Sequence, residues 1–208
     1  MTQKVRSMVF DVDDTMLGYT AGLRDFANQY YGHRIEGLPE HYSLEDWIPG
    51  SEYERRNILR AFNKSWQFGC LQPLPGACKY IMEIVEYNKT ATDPIELVAL
   101  TKCGKDPITQ ALRKANLTHV FGIIFSEVII IDGDESKKHS IRKLKRHRDI
   151  VLSVDDYVQN AVDMDQLNVP TVILRSSTNV SVTSRYLYLP VAEDWEDLYK
   201  THIQPLLV

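Results

Sequence analysis

The stretch VFDVDDTML, residues 9–17, sets an apolar, strand-like run directly before Asp11, Asp13 and Asp14, with Thr15 following. Carboxylates crowded at the end of a buried strand repel one another at short range, so the cluster needs a cation to be tolerable. Outward from this stretch, short β-branched runs recur at Ile95 to Leu100, Val128 to Ile131, Ile150 to Val154 and Thr171 to Leu174, with Val5 to Phe10 as the first. Between them, Pro107 to Ala115, Ser136 to Arg146 and Val158 to Leu167 carry apolar residues three and four apart, as core-facing helices do. Strand alternating with helix predicts an α/β chain with a parallel sheet covered on both faces.

The alternation breaks once. Residues 18–75 are rich in aromatics and helix formers and hold no convincing strand, with Gly32, Gly37, Pro39, Pro49 and Gly50 as breakers. They read as a small helical insertion, which leaves 1–17 and 76–208 as the main domain. Pro75 and Gly76 would open a returning helix from Ala77 to Tyr87. The tail, Val191 to Val208, reads as a closing helix packed through Trp195, Leu198, Ile203 and Leu206.

The 208 residues carry 24 basic and 28 acidic side chains, a net charge of −4 that provides no global reason to bind nucleic acid or an anionic membrane. No apolar run reaches the ~20 residues that span a bilayer. The polar start MTQKVRS lacks a signal-peptide core, and three cysteines, Cys70, Cys78 and Cys103, form no CxxC pair. The expectation is a cytoplasmic protein in a reducing compartment. Neither a GxxxxGK[ST] loop nor HExxH spacing occurs, which removes P-loop and zinc-hydrolase readings.

In parallel α/β sheets ligands bind beyond the carboxyl ends of the strands. Asp11 and Asp13 stand at one such end, Thr101 closes VALT at a second, and Asp155 with Asp156 closes VLSVDD at a third. Taken alone, Asp156 reads as a cap for the helix that follows it. Taken together, three strand ends deliver oxygen ligands to one place, and magnesium (Mg2+), an oxygen-seeking ion, is the natural occupant.

DVDDT at 11–15, a hydrophobic strand ending in Thr101, a lysine opening a helix at 137–138 and VDD at 154–156 stand in the order of the four motifs of the haloacid dehalogenase (HAD) superfamily, which this chain resembles over residues 5–175. The resemblance implies a Rossmann-like core and an aspartyl-phosphate mechanism. Asp11 would be the nucleophile and Asp13 the proton carrier; Thr101 would bond a phosphoryl oxygen, and the motif lysine would offset charge. Magnesium would be held by Asp11, the backbone carbonyl of Asp13 and Asp156, with Asp155 in support. Of the adjacent pair Lys137 and Lys138, either of which could be the motif lysine, the register Lys138, Ile141, Leu144 favours Lys138, and the interval to Asp156 then implies an extended loop at 146–149. Asp14 reads as a turn residue. Lys102, after Thr101, either touches phosphate or faces solvent. A second acid at Asp13 favours phosphate chemistry over the dehalogenase branch, where that position usually lacks one.

In HAD-like proteins a small helical insertion in this position is a cap that reads the leaving group, which implies a small phosphorylated metabolite as substrate. The layout, with HYSLEDW at 41–47, is similar to the 5'(3')-deoxyribonucleotidase branch, and makes Phe26 and Trp47 candidate base contacts. A phosphatase of (deoxy)nucleotides is thus the leading reading. The basic run KKHSIRKLKRHR, 137–148, motivates a second, a 3'-phosphatase on nucleic-acid ends, although such a run is more often a solvated helix face. A third is a HAD-like scaffold kept for protein interaction; the full motif set stands against it. Oligomeric state is left open.

Overall fold

The computed structural model describes residues 4–180 and 188–207 of the chain. Residues 1–3 and 208, the ends of two stretches read above, lie outside them. The strands are β1 (Val5–Phe10), β2 (Glu96–Thr101), β3 (Phe125–Ile130), β4 (Arg148–Asp155), β5 (Thr171–Leu174) and β6 (Val191–Ala192). They form one parallel sheet in the order β3-β2-β1-β4-β5-β6. The order reverses at β1, so its carboxyl end opens between those of β2 and β4, where a crevice must form.

Both faces of the sheet are buried, as the continuous apolar runs require. Met8, Phe10, Leu97 and Ala99 face one core, while Val9, Val98 and Leu100 face another with Ile141, Leu144 and Met164. The second layer comes from α6 (Lys137–Leu144) and α7 (Val158–Asp165); α4 (Ala77–Asn88) and α5 (Pro107–Phe121) cover the first. Pro107 occupies the first turn of α5 and Asp106 caps it by accepting from the Thr109 N–H, so this helix starts where the sequence placed it but runs on to Phe121.

The β1–β4 pairing slips between Ser7 and Met8: Ser7 faces Ile150, yet Met8 faces Leu152. Val151 is the extra residue, a bulge. The excess length expected in a loop at 146–149 therefore lies inside the strand, and β4 already begins at Arg148. The tail also departs from expectation. Val191–Ala192 pairs with β5 as an edge strand before the chain turns helical at Trp195–Asp197, Leu198–Ile203 (a π-type turn) and Gln204–Leu206. Trp195, Leu198 and Ile203 are buried and Leu206 packs against the same core.

Between β1 and α4 come α1 (Tyr19–Tyr31), α2 (Leu44–Trp47), α3 (Glu52–Asn63) and a 3-10 turn, Phe68–Cys70. Helix α3 opens with a capping box, Ser51 and Glu54 each satisfying the other's backbone N–H. The two connections of this insertion are laced to each other: Gly18 N–H donates to the Gln72 carbonyl at 3.0 Å and Leu74 N–H to the Met16 carbonyl at 2.9 Å. No described helix is long and apolar enough to cross a membrane.

Candidate active site

After Phe10 the backbone folds into a tight turn in which Met16 and Leu17 N–H both donate to the Val12 carbonyl at 2.9 Å. Asp14 takes a left-handed φ of 53°, a conformation that Asp tolerates, and its carboxylate accepts from the Thr20 N–H and hydroxyl at 3.1 Å each. It is a turn residue and a brace for α1, as its sequence context suggested. The same turn sends Asp11 and Asp13 to different surroundings.

Asp11, 7% exposed, accepts from Lys137 Nζ, which also donates to Asp155 Oδ2 at 2.7 Å. The lysine in the crevice is thus Lys137, and the favoured Lys138 is not brought to it. Lys138 Nζ lies outside, on Gln166 Oε1 at 2.9 Å and Asp163 Oδ1 at 2.9 Å. The reason is helical geometry: Lys137, Ile141 and Leu144 are spaced i, i+4, i+7 on the buried face, whereas a side chain one residue later is turned by ~100°.

Asp155 also accepts from Tyr157 N–H at 2.9 Å and from Asn160 Nδ2 at 3.1 Å. The residue that meets the start of α7 is therefore Asp155, and the capping reading of Asp156 falls. Asp156, 2% exposed, has its N–H on Thr15 Oγ1 at 3.2 Å, while its Oδ1 is buried with no hydrogen-bond partner. Carboxylate oxygens of Asp11, Asp155 and Asp156 lie within 4.8 Å of one another. A partnerless buried carboxylate oxygen in an all-oxygen cluster fits a hard divalent cation. The carboxylate of Asp13 is absent from this cluster.

Electrostatics follow from burial. Desolvation pushes the Asp11 carboxyl up to about 7 against the opposing field of Lys137, and raises Asp156 well above its ordinary value with the Asp11 charge adding to it. Desolvation would lower the Lys137 ammonium, but Asp11 and Asp155 outweigh it and hold its pKa above normal.

Asp13 Oδ2 accepts from the Thr101 hydroxyl at 3.1 Å, and Oδ1 accepts from Arg113 Nη2. Arg113 carried no expectation from the sequence. Its signal was an arginine in the inner stripe of α5, with Thr109, Asn116 and Leu117 buried around it.

Asp11, Asp13, Lys137 and Asp156 line a crevice of about 340 Å³, with Lys102, Tyr19, Tyr42 and Asn63 among its walls; Thr101, Arg113 and Asp155 stand behind them, on Asp13 and Lys137. Phe26 and Trp47 do not line it. Phe26 is buried among Tyr30, Tyr31 and Phe62, and Trp47 packs on the main core, because the insertion must fill its own interior. Among the described residues, the rings that reach the crevice are Tyr42, Tyr157 and Tyr19. Tyr42 stacks on Tyr157 with centroids 3.7 Å apart, and Asn63 accepts from the Tyr19 hydroxyl at 2.9 Å while donating to the Cys103 carbonyl at 3.3 Å.

The chain superposes over 96% of its length on 99% of a haloacid dehalogenase-like hydrolase from Streptococcus pneumoniae, with a TM-score of 0.65 and 12% identity. The chain has the HAD-like fold. The HAD-hydrolase YfnB of Bacillus subtilis, in a magnesium-bound form, shares it at a TM-score of 0.61 and 12% identity, over 95% of this chain and 98% of that one. A predicted phosphoglycolate phosphatase from Haemophilus somnus does so at 0.61 and 14%, over 96% and 99%. In sequence, no family model matches. A curated relative, an uncharacterized 32.4 kDa protein in the Gp30-rIII intergenic region of Enterobacteria phage T4, is 24% identical over 209 residues, covering 96% of this chain and 70% of its own length. Within the HAD-like fold, the carboxyl ends of β1, β2 and β4 are where Asp11, Asp13, Thr101, Asp155 and Asp156 meet.

Proposed function

We propose that this chain is a magnesium-dependent phosphomonoesterase acting on a small phosphate ester, with a (deoxy)nucleotide as the favoured substrate. The observation that carries the reading is the division of the carboxylates: Asp11 with Asp155 and Asp156 around Lys137, and Asp13 apart from them on Thr101 and Arg113. Two acids in different settings are what alternating nucleophile and proton-carrier roles require. HAD-like neighbours, one a predicted phosphatase and one magnesium-bound, support it.

Asp11 attacks the phosphorus, a P–O bond to Asp11 forms, and the P–O bond to the leaving alcohol breaks. Asp13 gives its proton to the departing oxygen, so that it leaves as the alcohol. In the second step Asp13 takes a proton from water as the water oxygen attacks phosphorus, releasing phosphate and restoring Asp11. Lys137 offsets the negative charge that would otherwise keep carboxylate and phosphate apart. Thr101, now on Asp13, is placed to turn its hydroxyl to a phosphoryl oxygen. Asp11, Asp156 and the Asp13 backbone carbonyl would hold the cation, with Asp155 in support; when bound, it supplies positive charge toward the phosphate.

Residues 18–75 serve in this reading as a cap on a core of 1–17 and 76–208, and Tyr42 with Tyr157 replaces Phe26 and Trp47 as the aromatic surface for a base. Lys102 is a substrate-binding candidate on the crevice wall. The basic run favours nucleic-acid ends less than its composition suggests: Lys137, Lys138, Lys145 and Arg148 are bound to groups of the chain itself.

A phosphate-release screen over nucleotides, sugar phosphates and an aryl phosphate tests the reading, with magnesium or a chelator and beside Asp11→Asn. Release is expected from at least one nucleotide, lost on chelation and in the variant. No release from any ester, or a variant as active as wild type, would refute it; faster release from oligonucleotide ends than from mononucleotides would favour the nucleic-acid reading.

A further inference from the structure

Arg113 is 0% exposed, a costly state for a guanidinium, and its Nε and Nη1 are buried without hydrogen-bond partners. Replacing a buried ion pair by apolar groups of similar shape is often neutral or stabilising, so fold stability does not account for a charge placed there. Its one carboxylate partner is Asp13, whose side chain reaches the crevice at 21% exposure. On the other side the guanidinium lies 4.1 Å from the ring centroid of Phe68, in the 3-10 turn through which the insertion returns to the core. Helix α5 is tied to the insertion at two further points, where Thr109 Oγ1 donates to the Asn63 carbonyl at 3.1 Å and Asn116 Nδ2 to the Leu71 carbonyl at 3.0 Å.

We propose that Arg113 is a positioning residue: seated on Phe68, it grips one oxygen of Asp13 so that the carboxyl is aimed for proton transfer to the leaving group. The inference rests on the phosphatase reading of Asp13. It assigns the insertion a task beyond covering the crevice, because the ring that seats Arg113 belongs to the insertion's return turn.

The test compares kcat/KM on β-glycerophosphate, whose alkoxide needs a proton to leave, with p-nitrophenyl phosphate, whose phenolate does not. Arg113→Met should lower kcat/KM on the first about 100-fold, and on the second by less than about fivefold, since only the first draws on general-acid catalysis. Arg113→Lys should recover part of that difference, and Phe68→Leu should show a smaller loss with the same bias. In an Asp13→Asn background Arg113→Met should add no further bias between the esters, because it acts through Asp13. Equal losses on both esters, or an Arg113→Met enzyme within about twofold of wild type on β-glycerophosphate, would overturn the proposal. If Arg113→Met fails to fold, Arg113→Lys and Phe68→Leu decide by the same ratio. A wild type inert on these two esters and on every ester of the screen would overturn the phosphatase reading itself and this inference with it.

Discussion

At the scale of single residues, two adjacent lysines have opposite fates. Lys137 is buried between Asp11 and Asp155, whereas Lys138 makes a partly exposed pair with Asp163. Lys137→Ala should therefore cut kcat/KM at least about 100-fold, as expected on losing a preorganised charge at the reacting phosphate, and Lys138→Ala should leave it within about twofold. Steady-state kinetics on the best ester of the screen decides; equal effects would return the assignment to the pair. Protonation offers a second check. Asp11 and Asp14 carboxyls lie near 7 in the folded chain against an ordinary 3.8, and Asp156 is raised in the same direction, in each case first by burial. Between those values the unfolded chain has released protons that the folded chain still holds, so the metal-free stability contributed by Asp11 and Asp14 falls as pH climbs from 3.8 toward about 7, and Asp156 adds a loss of the same sign. A cation competes for the same carboxylates. Magnesium should thus raise the Tm more at pH 7.5 than at pH 5.5, and an equal shift at both would contradict this account.

At the scale of elements, the insertion returns through Gly76, whose φ of 86° precedes α4. A Cβ there would stand 2.9 Å from Cβ of Trp195, which stacks on Phe10 and donates to the Thr15 carbonyl at 2.8 Å. Gly76→Ala should cost about 1–3 kcal/mol in urea unfolding, from backbone strain and displacement of the indole. A cost below about 0.5 kcal/mol would mean that the turn relaxes freely. The β4 bulge belongs to the same scale. One added residue in a strand reverses the faces of all that follow, so Val151 settles how Asp155 and Asp156 meet the crevice.

At the scale of the whole molecule, the insertion and core meet across the crevice through Tyr42 on Tyr157 and Asn63 on Cys103. If a substrate's ring shares that aromatic surface, Tyr42→Ala should raise KM about threefold to tenfold for a nucleotide and change it little for a small alkyl phosphate, the size of one ring contact. Kinetics with both ester types checks this, and equal changes in KM would remove the base-contact role. Much of this architecture was legible beforehand. Five of the six strands follow from apolar runs, and the two-residue β6 escaped because its pairing with β5 leaves almost no pattern in two residues.

The sequence by itself determined the parallel sheet and the meeting of Asp11, Asp13, Thr101, Asp155 and Asp156, because the strands' hydrophobicity dictates their burial and the topology of such a sheet brings their carboxyl ends together. The folded arrangement decided that Lys137 enters the crevice, that Phe26 is buried while Trp47 packs against the core, and that Arg113 stands behind Asp13. Those outcomes depend on the rotation of a helix face and on contacts between residues as far as 126 positions apart, and local pattern carries no record of which side chains such contacts will bring together.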